Sequence, residues 1–174
     1  LEAVAQGEPA IGRALSAFCE ARMLANLLRH SPILSSLPPP QRSALLARLE
    51  RRSLDRGDAL VRQGQDSDGV YLIASGQVQV RAREQSGEEL VLAQLGAGDM
   101  VGEISLVLRR PASADVLALS PTIALLLRRD AFQEVVREHP TLLRDLYELA
   151  VKRDEETRSV VAQPALDASD LVIV

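Results

Sequence analysis

Turn residues recur about every ten positions through the middle of this chain, and this spacing limits the fold more than any other feature of the sequence. Glycine marks most of the turns, at Gly57, Gly64, Gly69, Gly76, Gly87, Gly96 and Gly98. Short apolar runs lie between and beyond them, at Val70–Ala74, Leu90–Ala93, Val116–Leu119 and Ile123–Leu127. Short apolar segments joined by tight turns are typical of an all-β domain.

The segment from Gln77 to Arg83 alternates between polar and apolar residues, with Val78, Val80 and Ala82 on one side. A period of two residues is the pattern of a strand that buries one face. Together with the neighbouring apolar runs, this strand predicts a mainly β fold with flanking helices. We expect the strands to form a closed jelly-roll β-barrel that leaves few free edges.

Helices are predicted before the β region. Apolar residues at helical spacing indicate a helical extension between Pro9 and His30, and Pro40 is suited to the first position of a further helix. This further helix is predicted to be amphipathic. Its apolar residues are Leu45, Leu46 and Leu49, and its basic residues are Arg42, Arg48, Arg51 and Arg52.

Two more helices are predicted after the β region. Asp130 is placed to cap the first, and Pro140 separates it from a second that starts near Thr141. An apolar stripe on the second helix packs on the chain's own domain or forms the seam of a homodimer; it comprises Leu142, Leu143, Leu146, Leu149 and Ala150. The predicted boundaries are a helical extension at 1–37, a β-roll with its leading helix at 38–128, C-terminal helices at 129–159 and a tail at 160–174.

Three motifs occur in an order that resembles one known family. Arg56–Gln65 is similar to its first turn and strand, and Val70–Val80 to its central hairpin. Gly102–Leu106, followed by the residues after Pro111, resembles its phosphate-binding cassette. The chain is therefore identified as a member of the cyclic nucleotide-binding domain family, which includes the regulatory subunit of protein kinase A and the catabolite-activator transcription factors.

The resemblance implies a ligand site within the cassette. Its predicted ligand-binding residues are Gly102, Glu103, Ile104, Ser105, Ser113 and Ala114, and the implied ligand is cAMP or cGMP. By resemblance, Glu103 accepts a hydrogen bond from the ribose 2′-hydroxyl and Ser113 contacts the phosphate. The structural alternative is that Gly102 serves a tight turn and Glu103 hydrogen-bonds the backbone of its own loop.

The cassette departs from the family pattern at Ala112, where the arginine that pairs with the phosphate is expected. Removing one partner of such a buried charge pair costs about 2–5 kcal/mol. Arg109 and Arg110 are candidate substitutes for the missing cation, with exposure to solvent as the alternative. Asp115, where the family has an uncharged residue, opposes an anionic ligand if its side chain points inward.

The resemblance implies a non-enzymatic regulatory domain for signal transduction, in which the C-terminal helices move when a cyclic nucleotide binds. The alternative is a degenerate module that binds no nucleotide and acts as a protein-interaction domain. An attached domain or an unidentified protein partner would receive the signal. No serine-nucleophile motif, paired cysteines or carboxylate dyad indicates an enzyme, and neither His30 nor His139 has a partner at metal-ligand spacing.

Charge and composition limit the other partners. A net charge of -4 disfavours general binding to nucleic acid, and Ser159–Val174 is too short for a helix-turn-helix domain. The sequence therefore predicts no nucleic-acid binding by this chain alone. It has no run of about eighteen apolar residues, so no membrane span is predicted. The single Cys19 fits a cytoplasmic location.

Overall fold

A computed structural model describes residues 37–84 and 87–162, together with positions 18, 22, 23, 25–27, 29, 31 and 34. Its helices are α1 (Pro39–Leu46), α2 (Glu103–Val107), α3 (Arg129–Glu138) and α4 (Pro140–Ala162). Its strands are β1 (Glu50–Leu54), β2 (Ala59–Val61), β3 (Gly69–Ser75), β4 (Val78–Arg83), β5 (Glu89–Leu95), β6 (Met100–Val101), β7 (Asp115–Ala118) and β8 (Thr122–Arg128). Most of the predicted N-terminal extension, and the tail from residue 163 onward, lie outside the described residues.

The strands form two antiparallel sheets of four strands each, in the orders β1-β8-β3-β6 and β2-β7-β4-β5. The predicted mainly β jelly-roll with flanking helices is therefore confirmed. The sheets do not join into the closed barrel that the sequence suggested, since within the described ranges each keeps its own two edge strands. Two of these edges, β2 and β6, are only three and two residues long. Such short edges expose few unpaired backbone groups, so closure is not needed to protect them.

Strand β4 shows the predicted alternation, with one exception. Val78 and Ala82 are fully buried, and Val80 is half-buried. Gln79, predicted to face outward, is also buried, and its side-chain oxygen accepts a hydrogen bond from Arg81 Nε. The pairing of β4 with β5 shifts in register between Val80 and Arg81, because Leu92 of β5 has no partner on β4.

The apolar residues form two packed groups. One fills the interior of the β-roll, and includes Tyr71, Ile73, Val116 and Leu126. The other lies between the β1-β8-β3-β6 sheet and the helices, and includes Leu45, Leu72, Phe132, Leu142 and Leu146. Helix α4 therefore packs its apolar stripe on its own domain. The homodimer seam stays a prediction, with Leu143 and Tyr147 exposed on the outer side of α4.

The helix boundaries differ from the sequence expectation at three places. Helix α1 ends at Leu46, and the segment predicted to continue it forms β1, whose residues pair with Leu126 through Thr122 of β8. Glu50 forms an ion pair with Arg128 across this pair of strands, which favours the strand over another helical turn. Helix α3 begins at Arg129, so Asp130 lies inside its first turn and does not cap it. Helix α4 begins at Pro140 and continues to Ala162, past the predicted boundary at residue 159.

Candidate functional site

A cavity of about 320 Å³ lies between the β2-β7-β4-β5 sheet, the cassette and helix α4. This volume falls in the range of small-molecule sites, about 300–1,000 Å³. The sheet supplies an apolar wall, which includes Val61, Val80, Leu95 and Val116. All six predicted ligand-binding residues line the same cavity: Gly102, Glu103, Ile104, Ser105, Ser113 and Ala114. Helix α4 lines a further side of the cavity with Arg153, Glu156 and Thr157.

Gly102 holds the turn that brings the cassette against strand β3. Its φ of +86° is left-handed, and a Cβ at this position would lie 2.6 Å from the carbonyl oxygen of Gly69. Only glycine satisfies both conditions without strain. Ser67 lies beside this turn in space, and its backbone N–H donates to Ser105 Oγ at 3.3 Å. This hydrogen bond fixes the start of α2 on the β-roll. The tight-turn role considered for Gly102 is thus present, at a position that also lines the cavity.

Glu103 is a buried carboxylate, only 1% exposed, and its partner comes from helix α4. Arg153 Nη1 donates to Glu103 Oε1 at 2.7 Å and to the carbonyl oxygen of Met100, also at 2.7 Å. Burial raises the pKa of the Glu103 carboxyl, and the charge and hydrogen bond of Arg153 oppose this effect. The ion pair therefore connects the cassette to α4 at the edge of the cavity.

Arg153 was not among the residues predicted from the sequence, although a signal was available. It lies seven residues after Leu146 and three after Ala150, which are both buried. Residues at these spacings share one face of an α-helix. Extending the apolar stripe by two turns would have placed this arginine on the buried face of the helix.

The two arginines suggested as substitute phosphate contacts do not line the cavity. Arg110 instead forms an ion pair with Asp154 of α4, a carboxylate that is 6% exposed and also pairs with Arg158 at 3.1 Å. Arg109 follows the C-cap of α2 and has a left-handed conformation, with φ of +52°. Both stay as predictions for the ligand contact, and the structure gives Arg110 a different partner.

Ala112 lines the cavity, whereas Asp115 does not. Ala112 is on the cavity wall, 8% exposed, and its backbone exchanges hydrogen bonds with Gln65 and Gly64 at 2.9 and 2.8 Å. Asp115 Oδ1 accepts the backbone N–H of Gln63 at 2.7 Å and does not line the cavity. In this arrangement Asp115 therefore does not oppose an anionic ligand from inside the cavity.

Replacing Asp154 with alanine is expected to lower the free energy of unfolding by about 2–4 kcal/mol, because it leaves the partly buried Arg110 without its counter-ion. The matched control is Asp145→Ala on the same helix, whose pair with Arg144 is exposed and is worth about 0–1 kcal/mol. Urea denaturation followed by circular dichroism measures both. Equal losses in the two variants would contradict a role for the Arg110–Asp154 pair.

No helix in the described part of the chain combines the length and apolar character needed to cross a membrane. Nor do the described residues contain a group of three or more His, Cys, Asp or Glu side chains suited to a metal ion.

The chain is similar to cyclic nucleotide-binding proteins over most of the described region. A family model described as the cyclic nucleotide-binding domain matches residues 51–139. The cAMP-dependent protein kinase type II regulatory subunit of Drosophila melanogaster is 37% identical over 110 residues, which cover 63% of this chain and 29% of that protein. This chain thus spans less than a third of that relative's length.

Solved structures show the same fold. The catabolite activator protein of Thermus thermophilus superposes with a TM-score of 0.67 and 30% identity, over 75% of this chain and 62% of that one. The regulatory subunit of a cAMP-independent protein kinase A from Trypanosoma brucei superposes with a TM-score of 0.64 and 25% identity, over 78% and 52% of the two chains. That structure is of a variant with three substitutions, one of them threonine to arginine, bound to cAMP in its A site.

Proposed function

Because this chain belongs to the cyclic nucleotide-binding domain family, we propose that it is the ligand-sensing module of a regulatory protein and binds a cyclic nucleotide in the cavity between the cassette and α4. One observation carries the proposal. The six cassette residues expected to contact the ligand line one cavity of suitable size, and residues of α4 line it as well. The relatives named above, a kinase regulatory subunit and a catabolite activator, support a regulatory role. No catalytic role is proposed.

The cavity combines groups that suit a nucleotide. Glu103 offers an acceptor to the ribose 2′-hydroxyl, and Ser113 offers a hydroxyl donor to a phosphate oxygen. The apolar wall from β4 and β5 can cover the face of a purine, since it includes Val80, Leu92 and Leu95. A mostly apolar pocket with a few placed polar groups is the usual composition of a small-molecule site.

Signalling is proposed to run through α4. Arg153, Glu156 and Thr157 belong to this helix and line the cavity, so a bound ligand contacts the helix as well as the β-roll. A ligand shifts a conformational equilibrium only through such differential contacts. We propose that a change in the position of α4 reaches an attached domain or a protein partner. A homodimer and a cytoplasmic location stay predictions.

The second candidate is a module that binds no nucleotide and serves as a protein-interaction domain. The position of Ala112 favours it, because a methyl group lies on the cavity wall where the family places a guanidinium. The fold also occurs in the regulatory subunit of a cAMP-independent protein kinase A from Trypanosoma brucei.

Calorimetric titration with cAMP and cGMP separates the two candidates. We expect saturable binding of at least one nucleotide with a dissociation constant below about 1 mM, equivalent to about 4 kcal/mol. The matched ligand is the 2′-deoxy form, which lacks the hydroxyl assigned to Glu103 and is expected to bind about tenfold more weakly. Absence of heat at millimolar concentrations of both nucleotides would favour the interaction module instead.

A further inference from the structure

The guanidinium of Arg153 has one edge that is already occupied and one that is not. Nη1 carries two hydrogens, and these are directed to Met100 O and Glu103 Oε1. Within the described ranges, neither Nε nor Nη2 makes a hydrogen bond to the protein. These two nitrogens form the side of the planar fork that binds phosphate and carboxylate groups in a bidentate manner. The arginine is thus fixed through Nη1 and retains its anion-binding edge.

The charges around the cavity make this edge the main attraction for an anion. Among the described residues that line the cavity, the charged ones are Glu103, Arg153 and Glu156, so Arg153 is the one cation. Glu156 is exposed and lies 3.9 Å from Lys152 Nζ, so solvent and this lysine weaken its repulsion of an anion. Arg110 is paired with Asp154 away from the cavity. Among the described lining residues, the Arg153 guanidinium is therefore the one cationic group that an entering anion can bind.

We propose that Arg153 has taken over the anion-binding role that Ala112 cannot perform, with Nε and Nη2 holding the phosphate of the nucleotide. This inference rests on the proposed function and names the residue that gives the site its preference for a charged ligand. Ser113, on the same cavity wall, adds a hydroxyl donor to the phosphate.

The covalent structure of the ligand agrees with this arrangement. In a 3′,5′-cyclic nucleotide the phosphate is fused to the ribose, next to the carbon that bears the 2′-hydroxyl. The protein groups assigned to the phosphate and to the 2′-hydroxyl are also neighbours, since Arg153 and Glu103 are hydrogen-bonded to each other at 2.7 Å. A carboxylate has about four acceptor positions, so Glu103 can bind Arg153 through Oε1 and the ribose hydroxyl through Oε2.

The location of the cation changes how the ligand acts on the fold. An arginine at position 112 would hold the phosphate from the cassette, whereas Arg153 holds it from α4. The charge of the ligand then acts directly on the helix. The proposed signal therefore starts at the anion contact itself.

The test compares cAMP with adenosine, which lacks the phosphate, in the intact chain and in Arg153→Met. The methionine keeps much of the side-chain packing and removes the charge and the donors. We expect wild type to prefer cAMP, and Arg153→Met to bind cAMP about thirty-fold more weakly or worse with unchanged affinity for adenosine. Arg153→Lys should recover only part of the loss, because an ammonium cannot form the bidentate contact. Arg158→Met is the matched control, since Arg158 lies on α4 and does not line the cavity.

Circular dichroism checks that each variant is folded. If Arg153→Met fails to fold because Glu103 is left unpaired, the comparison is made between Glu103→Gln and the double variant Glu103→Gln/Arg153→Met. The same thirty-fold loss of cAMP binding is then expected between these two chains.

The outcomes separate this inference from the proposed function. If wild type binds cAMP and Arg153→Met binds it equally or more tightly, Arg153 does not hold the phosphate. The proposal that the chain binds a cyclic nucleotide is then unaffected. Tighter binding would identify Arg153 as a competitor for Glu103. Equal affinity of wild type for cAMP and adenosine also overturns the inference that Arg153 holds the phosphate. If wild type binds neither cAMP nor cGMP, the proposed function and the inference are both wrong.

Discussion

Ala112→Arg is expected to raise the affinity for cAMP by at least about thirty-fold, which corresponds to the lower limit of about 2 kcal/mol for a buried charge pair. The new side chain would start from the cavity wall, where the backbone of residue 112 is held by two hydrogen bonds. Its guanidinium would then face the phosphate from the cassette side. We place the expected gain near the lower limit because Arg153 already provides one cation in the cavity.

The matched control for this gain is Ala112→Met, which adds length without charge and is expected to leave cAMP affinity within about threefold of wild type. Calorimetry on all three chains gives the comparison. In the Ala112→Arg background, Arg153→Met should cost less than it does in wild type, because the two arginines share one anion. Failure of Ala112→Arg to bind cAMP more tightly, in a folded chain, would show that the cassette loop is not in a binding conformation.

Gly102→Ala is expected to lower the free energy of unfolding by about 2–5 kcal/mol. A left-handed φ costs an L-residue about 1–2 kcal/mol, and overpacking typically adds about 1–3 kcal/mol. Both terms apply here, because φ is +86° and the new Cβ would lie 2.6 Å from Gly69 O and 2.9 Å from Ser67 Oγ. The cassette would have to move away from β3 to relieve the contact. Cyclic nucleotide binding is expected to weaken together with stability.

Gly64→Ala separates these two terms. Gly64 has a similar φ of +78°, and a Cβ there would meet nothing within 4 Å. Only the backbone term of about 1–2 kcal/mol is expected for this variant. Chemical denaturation of the two variants measures the difference. Equal destabilisation would mean that the approach of Gly69 to the cassette is not a constraint on the fold.

The β-roll could be predicted because its pattern is local. Val78 and Ala82 alternate with polar residues, and glycine supplies the left-handed turns at Gly57, Gly64 and Gly76. Strand β1 was missed because its sequence, ERRSL, has no apolar alternation. It is a strand because it pairs with β8, and pairing between residues far apart in sequence leaves no periodic signal.

The candidate site was predicted from the cassette motif and not from side-chain geometry. The motif located Glu103 and Ser113, which do line the cavity. It gave no information on Arg153, fifty residues further along the chain from Glu103, because that contact depends on how α4 folds back onto the β-roll. For the same reason, the sequence could not assign Arg110 to Asp154.

Two consecutive residues, Arg153 and Asp154, attach α4 to the cassette region through different partners. Neighbouring residues on an α-helix point about 100° apart, so this double attachment resists rolling of the helix about its own axis. Tilting is the motion that remains, with the attachment as its pivot. Ala162 lies nine residues beyond, a lever arm of about 13 Å. We therefore expect a small tilt of α4 about this attachment to produce a larger displacement at that end of the helix.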